Sequence, residues 1–210
     1  MASDSIVKLL DGYELFVPPI ARNYRDWKPK QAKEYFDWLM AIKDDRLALL
    51  ERTIGLNQPR ETSERFALDY SPRSFRILGK WLGENARVRP LTAAEHHKFC
   101  DTLPDLFMRD IGVSDWIHDA QTISLCEDAG IYFAEALIRR HRGVYWDYLR
   151  RPRNAGNFQQ PALFGFRGGD CMEPTSVVAN SLGDPQDWPN AGEEFQRVFH
   201  VWESFVDPAL

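Results

Sequence analysis

Three carboxylates in one stretch of the chain are the first candidates for chemistry: Glu127, Asp128 and Glu135. On a helix, Asp128 and Glu135 share a face. Seven residues of helical rise separate them by about 10 Å, which is too far for the paired carboxylates of a retaining glycosidase. Glu127 falls outside that face. For Glu127 we favour a structural ion pair with an arginine over a catalytic role, because structural pairs also perturb buried acids.

A cysteine and several histidines form the second candidate set. Cys171 follows a glycine pair, and a thiol enzyme would use it as nucleophile with a distant base such as His200. No local family signature surrounds Cys171, so we expect an ordinary thiol. His96 and His97 are adjacent and point to different helix faces, which disfavours joint metal ligation. The sequence has no phosphate loop, nucleotide fingerprint or serine elbow, and we predict no catalytic set, metal or cofactor.

Residues 139–153 are rich in arginine. Six arginines and Asp147 give this segment a charge of +5. The net charge of the whole chain is −5, so the residues outside the segment carry −10. This asymmetry predicts an acidic exterior, which suits a basic protein partner and disfavours nucleic acid over most of the surface. The candidate binding residues are Asp128, Glu135, Arg139, Arg150, Arg151 and Arg153.

An alternative use of the same segment is anion or RNA binding. Tyr145, Trp146 and Tyr148 could then stack on bases beside the arginines. Strand alternation, however, puts Trp146 and Tyr148 on a face that usually packs against a helix, and neighbouring acids can neutralise the arginines. We therefore rank this alternative below protein binding.

A central helix must position these groups. Residues 117–142 have a helical period that is apolar around most of the circumference, so we expect other elements to cover this helix on several sides. Phe133→Ala and Leu137→Ala should be severely destabilising, and Gln121→Ala near neutral. The remaining narrow polar stripe consists of Gln121, Ser124, Asp128, Glu135 and Arg139.

Capping residues, prolines and the periodicity of apolar residues predict the other elements. We predict an edge strand or extended arm at residues 13–19, helices at about 29–54, 71–85 and 193–205, and a capping box formed by Thr92 and Glu95. Strands at 144–149 and 161–166 should form a hairpin, with Trp146 inward and Asp147 outward. Pro174, Pro185 and Pro189 discourage regular structure after residue 168.

Composition is that of an ordinary globular protein, with 44% hydrophobic and 27% charged residues. The first residues lack the basic and apolar regions of a signal peptide, and no run reaches a membrane-spanning length. Three widely spaced cysteines form neither a disulfide framework nor a zinc motif. We expect a soluble cytoplasmic protein with one domain over residues 1–210, and a subdomain boundary, if one exists, near 57–65.

The helix containing Leu125 to Glu135, the glycine turn at Gly143, the strand Val144-Tyr145-Trp146 and the segment Gln160 to Phe166 resemble small bacterial proteins. Some of these are similar to immunity partners of polymorphic or contact-delivered toxins. The resemblance covers about residues 117–166 and implies a protein that binds a toxin without catalysis.

The combined prediction is an α+β fold, mostly helical, with a small antiparallel β element beside a central buried helix. The predicted function is neutralisation of a cognate bacterial toxin by direct binding. The alternatives are a small acid- or cysteine-based enzyme and an anion- or RNA-binding module that uses residues 139–153.

Overall fold

The computed structural model describes residues 10–22, 24–57, 67–102, 114–153 and 155–207, without the side chains of 99–102. Six helices are present in these ranges, together with two pairs of short strands. The helices are α1 (Pro29–Asn57), α2 (Pro72–Asn85), α3 (Ala93–Thr102), α4 (Ala120–Arg140), α5 (Pro174–Leu182) and α6 (Ala191–Phe205). The strands are β1 (Val88–Pro90), β2 (Trp116–His118), β3 (Tyr145–Tyr148) and β4 (Pro161–Phe164).

Helix α4 is the centre of the fold, as its apolar circumference predicts. Asp119 caps it by accepting a 2.7 Å hydrogen bond from the Thr122 backbone N–H. The side chains of Phe133 and Leu137 are fully buried. Helices α1, α2 and α5 all contact α4. The mostly helical α+β fold is therefore confirmed.

Helices α2 and α6 pack against each other at one end of this core. A Cβ atom at Gly79 of α2 would collide with Phe195 and the Ala191 backbone of α6, so glycine permits the close approach. Phe75 stacks on Phe199 at 4.0 Å between ring centroids, and Phe133 of α4 meets both rings edge-on. This aromatic cluster joins three helices.

Both strand pairs are antiparallel. Strands β3 and β4 form the predicted hairpin, with Tyr145 opposite Phe164 at one end and Tyr148 opposite Pro161 at the other. Trp146 packs against the core beside α4, as predicted. The β1–β2 pair joins Val88–Pro90 to Trp116–His118 and was not predicted.

Several predicted boundaries are confirmed. Helix α1 begins at Pro29 and continues unbroken through Asp44 and Asp45. Ser71 caps α2, which ends at Asn85, and Thr92 with Glu95 forms the capping box of α3. Apart from Asn57, the predicted subdomain boundary lies outside the described residues.

Other expectations were wrong. Ile117 and His118 lie in β2 rather than in the central helix, because their backbones pair with β1. Pro174 begins a helix instead of preventing one, since proline fits the first helical turn and Glu173 caps the free N–H groups. Phe205 is 51% exposed rather than buried.

Residues 13–19 form an extended arm without strand pairing. Among the helices that the structure describes, none combines the length and apolar character needed to cross a membrane.

Candidate functional site

Asp128 is fully buried in an ion pair with Arg46 of α1. The guanidinium donates from Nε to Oδ1 and from Nη2 to Oδ2, both at 2.7 Å, and the Tyr13 hydroxyl donates to Oδ2 at 2.7 Å. Burial raises the pKa of the Asp128 carboxyl, although the bonds from Arg46 and Tyr13 oppose that shift. Asp128 thus presents no surface to a partner. Its bonds join the arm to two helices.

Gln121 and Ser124, in the N-terminal half of the polar stripe, also face inward, where the N-terminal arm, residues 10–22, covers them. Gln121 is 1% exposed and accepts a 3.0 Å hydrogen bond from the Leu10 backbone N–H. Ser124 accepts from the backbone N–H of Phe16. Arg46 completes the attachment by donating to the Glu14 carbonyl at 3.0 Å. Gln121, Ser124 and Asp128 therefore form the surface on which the arm docks, and we call this surface the docking track.

Glu127 forms the structural ion pair favoured by the sequence. One oxygen accepts from the Arg22 guanidinium at the end of the arm, and the other accepts from the Thr175 hydroxyl at 3.0 Å. Burial raises the pKa of Glu127 to about 7, against the attraction of Arg22. A small cavity beside it is lined by Tyr24, Tyr35 and Glu173, among others.

Glu135 anchors the hairpin to α4. It accepts a 3.0 Å hydrogen bond from the Trp146 indole N–H and lies 3.2 Å from the Lys43 ammonium. Arg139, one turn later, has its guanidinium 4.4 Å from the ring centroid of Tyr70. Both side chains therefore make internal contacts.

The arginine segment does not form one cluster. Arg150 makes two hydrogen bonds to Asp147, at 2.8 and 2.9 Å, and lies 4.0 Å from the Tyr148 ring centroid. Arg151 and Arg153 are exposed in the loop that joins β3 to β4. The hairpin thus separates these loop arginines from those at the end of α4.

A groove at the other end of the hairpin brings together charges that the sequence did not pair. We call it the arginine groove. Its volume is about 400 Å³, it is open to solvent, and it is lined by Arg140, His141, Arg142, Gly143, Arg167, Glu203, Ser204, Val206 and Asp207. Arg140 Nε lies 2.6 Å from Glu203, and His141 Nε2 lies 3.3 Å from the same oxygen. Partial burial works against ionisation of Glu203, but these bonds lower its pKa.

The backbone beneath the groove explains why Arg167 and Arg142 line one site. Gly165 has φ +105°, and a Cβ atom there would collide with the Gly143 carbonyl oxygen. The Asp207 backbone N–H donates to the Gly165 carbonyl at 3.1 Å. Gly143 directly follows Arg142, and Gly165 lies two residues before Arg167. These glycines were the available signal, but the spatial proximity of the two arginines could not be derived from them.

Cys171 and His200 have separate partners. The Cys171 thiol accepts from the Asn157 side chain at 2.9 Å, and burial raises its pKa. His200 Nδ1 lies 3.4 Å from Glu203. Within the described residues, no group of histidine, cysteine and acidic side chains is arranged to hold a metal ion.

The described exterior is less acidic than the net charge of the chain suggests. Among the described side chains that are largely exposed, 19 are Lys or Arg and 15 are Asp or Glu, while among those that are partly exposed 2 are basic and 7 are acidic. Glu127, Asp128 and Glu135 are internal and do not contribute to the surface. The described exterior therefore carries nearly balanced charge, and its arginines stand out locally rather than through an overall basic surface.

Comparisons of this chain with protein-family models, curated proteins and solved structures found no match.

Proposed function

We propose that this protein is an immunity-type binding protein, which acts in the cytoplasm and neutralises a cognate bacterial toxin by direct contact. The observation that carries the proposal is the placement of charge. The acids of α4 are used inside the fold, whereas arginines are displayed outside it. Arginine and aromatic side chains are enriched among the residues that dominate binding energy at protein interfaces.

The exposed aromatic residues support this proposal. Tyr145 is 54% exposed and stacks on Phe164, while Phe205 is 51% exposed beside Trp202. Each follows the groove-lining residues closely in the chain. The resemblance of residues 117–166 to immunity partners suggests the biological role, and the arginines displayed beyond α4 favour a partner that is acidic where it meets them.

The test is co-expression with the product of the neighbouring gene. We expect that product alone to arrest growth, co-expression to restore it, and the two purified proteins to form a stoichiometric complex by size-exclusion chromatography. If the product is toxic but growth is not restored and no complex forms, the immunity role is rejected.

The second candidate is an acid-based enzyme, and one observation favours it. Glu127 has a pKa of about 7, suited to proton transfer near neutrality, and it lines a cavity with Glu173. Glu127→Gln separates the two proposals. If protection against the toxin depends on binding, the Glu127→Gln variant keeps its protective effect as long as it folds. If protection depends on catalysis by Glu127, the variant loses the protective effect while its circular dichroism spectrum is unchanged.

A further inference from the structure

The arginine groove contains two cations that no described side chain neutralises. Arg140 and His141 are bound to Glu203. Arg142 and Arg167 are exposed, and neither forms a hydrogen bond or ion pair within the part of the chain that the structure describes. Arg142 and Arg167 therefore remain available to an external group.

We infer that the arginine groove binds an acidic segment of a protein partner, whose carboxylates pair with Arg142 and Arg167. A guanidinium accepts a side-chain carboxylate through two parallel hydrogen bonds, which fixes its orientation. As a statement about the toxin's docking site, this inference rests on the proposed function.

The acids in the groove favour a protein segment over nucleic acid. Glu203 and Asp207 line the same walls as the two arginines. A continuous phosphate backbone would be repelled by these carboxylates, whereas a peptide can present its acids to the arginines and place uncharged residues beside Glu203 and Asp207.

Two exposed aromatic residues lie next to groove-lining residues in the chain. Tyr145 lies two residues after Gly143, and Phe205 lies between Ser204 and Val206, which line the groove. Exposed aromatic side chains beside a charged pocket supply the apolar contact area that the central residues of an interface need. The acidic segment should therefore carry apolar residues next to its carboxylates.

The hairpin offers a matched control for this inference. Arg151 and Arg153 are exposed in the loop at the far end of β3 and β4, away from the Tyr145–Phe164 end that leads into the groove. The double variants Arg142→Glu/Arg167→Glu and Arg151→Glu/Arg153→Glu change the net charge by the same amount. General electrostatic attraction would weaken equally in both, but docking in the groove is sensitive only to the first.

The first measurement is calorimetric titration of each double variant with the neighbouring gene product. We expect about a 100-fold or greater loss of affinity for the groove variant, since breaking close charge pairs at an interface has effects of this size, and less than about 3-fold for the loop variant. Equal losses, or a larger loss for the loop variant, would overturn the inference while leaving the immunity role intact.

The second measurement does not depend on that gene product. A fluorescein-labelled peptide of alternating Glu and Leu is titrated by anisotropy, with a single-stranded RNA of the same charge as the comparison. We expect the peptide to bind the parent and the loop variant but not the groove variant. Tighter binding of the RNA, or peptide binding that survives in the groove variant, would overturn the inference even if the gene product proved to be no partner.

Discussion

The two ends of helix α4 differ in the burial and pairing of their charged residues. Toward its N-terminal half, Asp128 is buried and bound by Arg46 and Tyr13. Just beyond its C-terminus, Arg142 is exposed and has no partner among the described residues. The buried ion pair of Asp128 stabilises the fold, while the exposed guanidinium of Arg142 remains available to bind a partner. The position of a charged residue along this helix therefore separates structural roles from candidate functional ones.

The largest effect should come from breaking the buried pair. Asp128→Asn leaves the Arg46 charge buried without a counter-ion, and removing one partner of such a pair costs about 3–5 kcal/mol. Urea denaturation measures this loss. The double variant Asp128→Leu/Arg46→Met should recover most of the stability, because it removes both charges. An Asp128→Asn protein as stable as the parent would show that the pair does not hold the arm.

The pH dependence of Glu127 should give the next largest effect. Its pKa is about 7 in the fold and about 4.3 in an unfolded chain, so its protonated form favours folding. This contribution is complete below pH 4.3 and is lost as the pH rises through 7, by about 4 kcal/mol. Glu127→Gln cannot titrate. The free energy of unfolding of the parent should therefore fall relative to that variant between pH 4.3 and 7, whereas parallel curves would contradict the raised pKa.

Gln121→Ala tests the docking track at an intermediate scale, and the near-neutral effect expected from the sequence is revised because Gln121 is buried. It removes the acceptor for the Leu10 N–H, and loss of a buried hydrogen-bond partner costs about 1–3 kcal/mol. Hydrogen exchange at Leu10 should accelerate as the arm detaches locally. Ile123→Ala, at a 39% exposed position on the same helix, is the control and should change stability by less than about 0.5 kcal/mol. Equal effects in the two variants would show that the stripe does not anchor the arm.

The smallest effect on stability belongs to the groove. Arg142→Glu/Arg167→Glu alters two exposed side chains without described partners, and such surface changes stay within about 0.5 kcal/mol each. Thermal denaturation followed by circular dichroism provides the measurement. A large drop in melting temperature would mean that these arginines support the fold, which would remove the contrast between the two ends of α4.

Local signals predicted much of the fold. Ser71 and Pro72 marked the start of α2, and Thr92 with Glu95 marked the start of α3, because capping depends on residues only a few positions apart. The alternation around Trp146 predicted the inward face of the hairpin. Pro174 misled us, since proline both ends regular structure and begins helices, and only the Glu173 cap distinguishes the two cases.

The candidate site was much harder to predict. Gln121, Ser124 and Asp128 form a polar stripe that is typical of a solvated helix face, and nothing in the period shows that a distant arm covers it. The arginine groove requires Arg142 and Arg167 to line one surface, and the close approach of Gly143 and Gly165 brings them there. Net charge also overstates the acidity of the exterior, because it counts buried and exposed acids alike.

The arm's attachment to α4 also sets an order of events during synthesis. Leu10 and its acceptor Gln121 are 111 positions apart in the chain. At ribosomal rates of about 5–20 residues per second, the arm waits about 5–20 s after its own synthesis before its docking track exists. It is therefore made early and docked late. A chain stalled before residue 121 would leave Tyr13 and Phe16 without the helix that buries them.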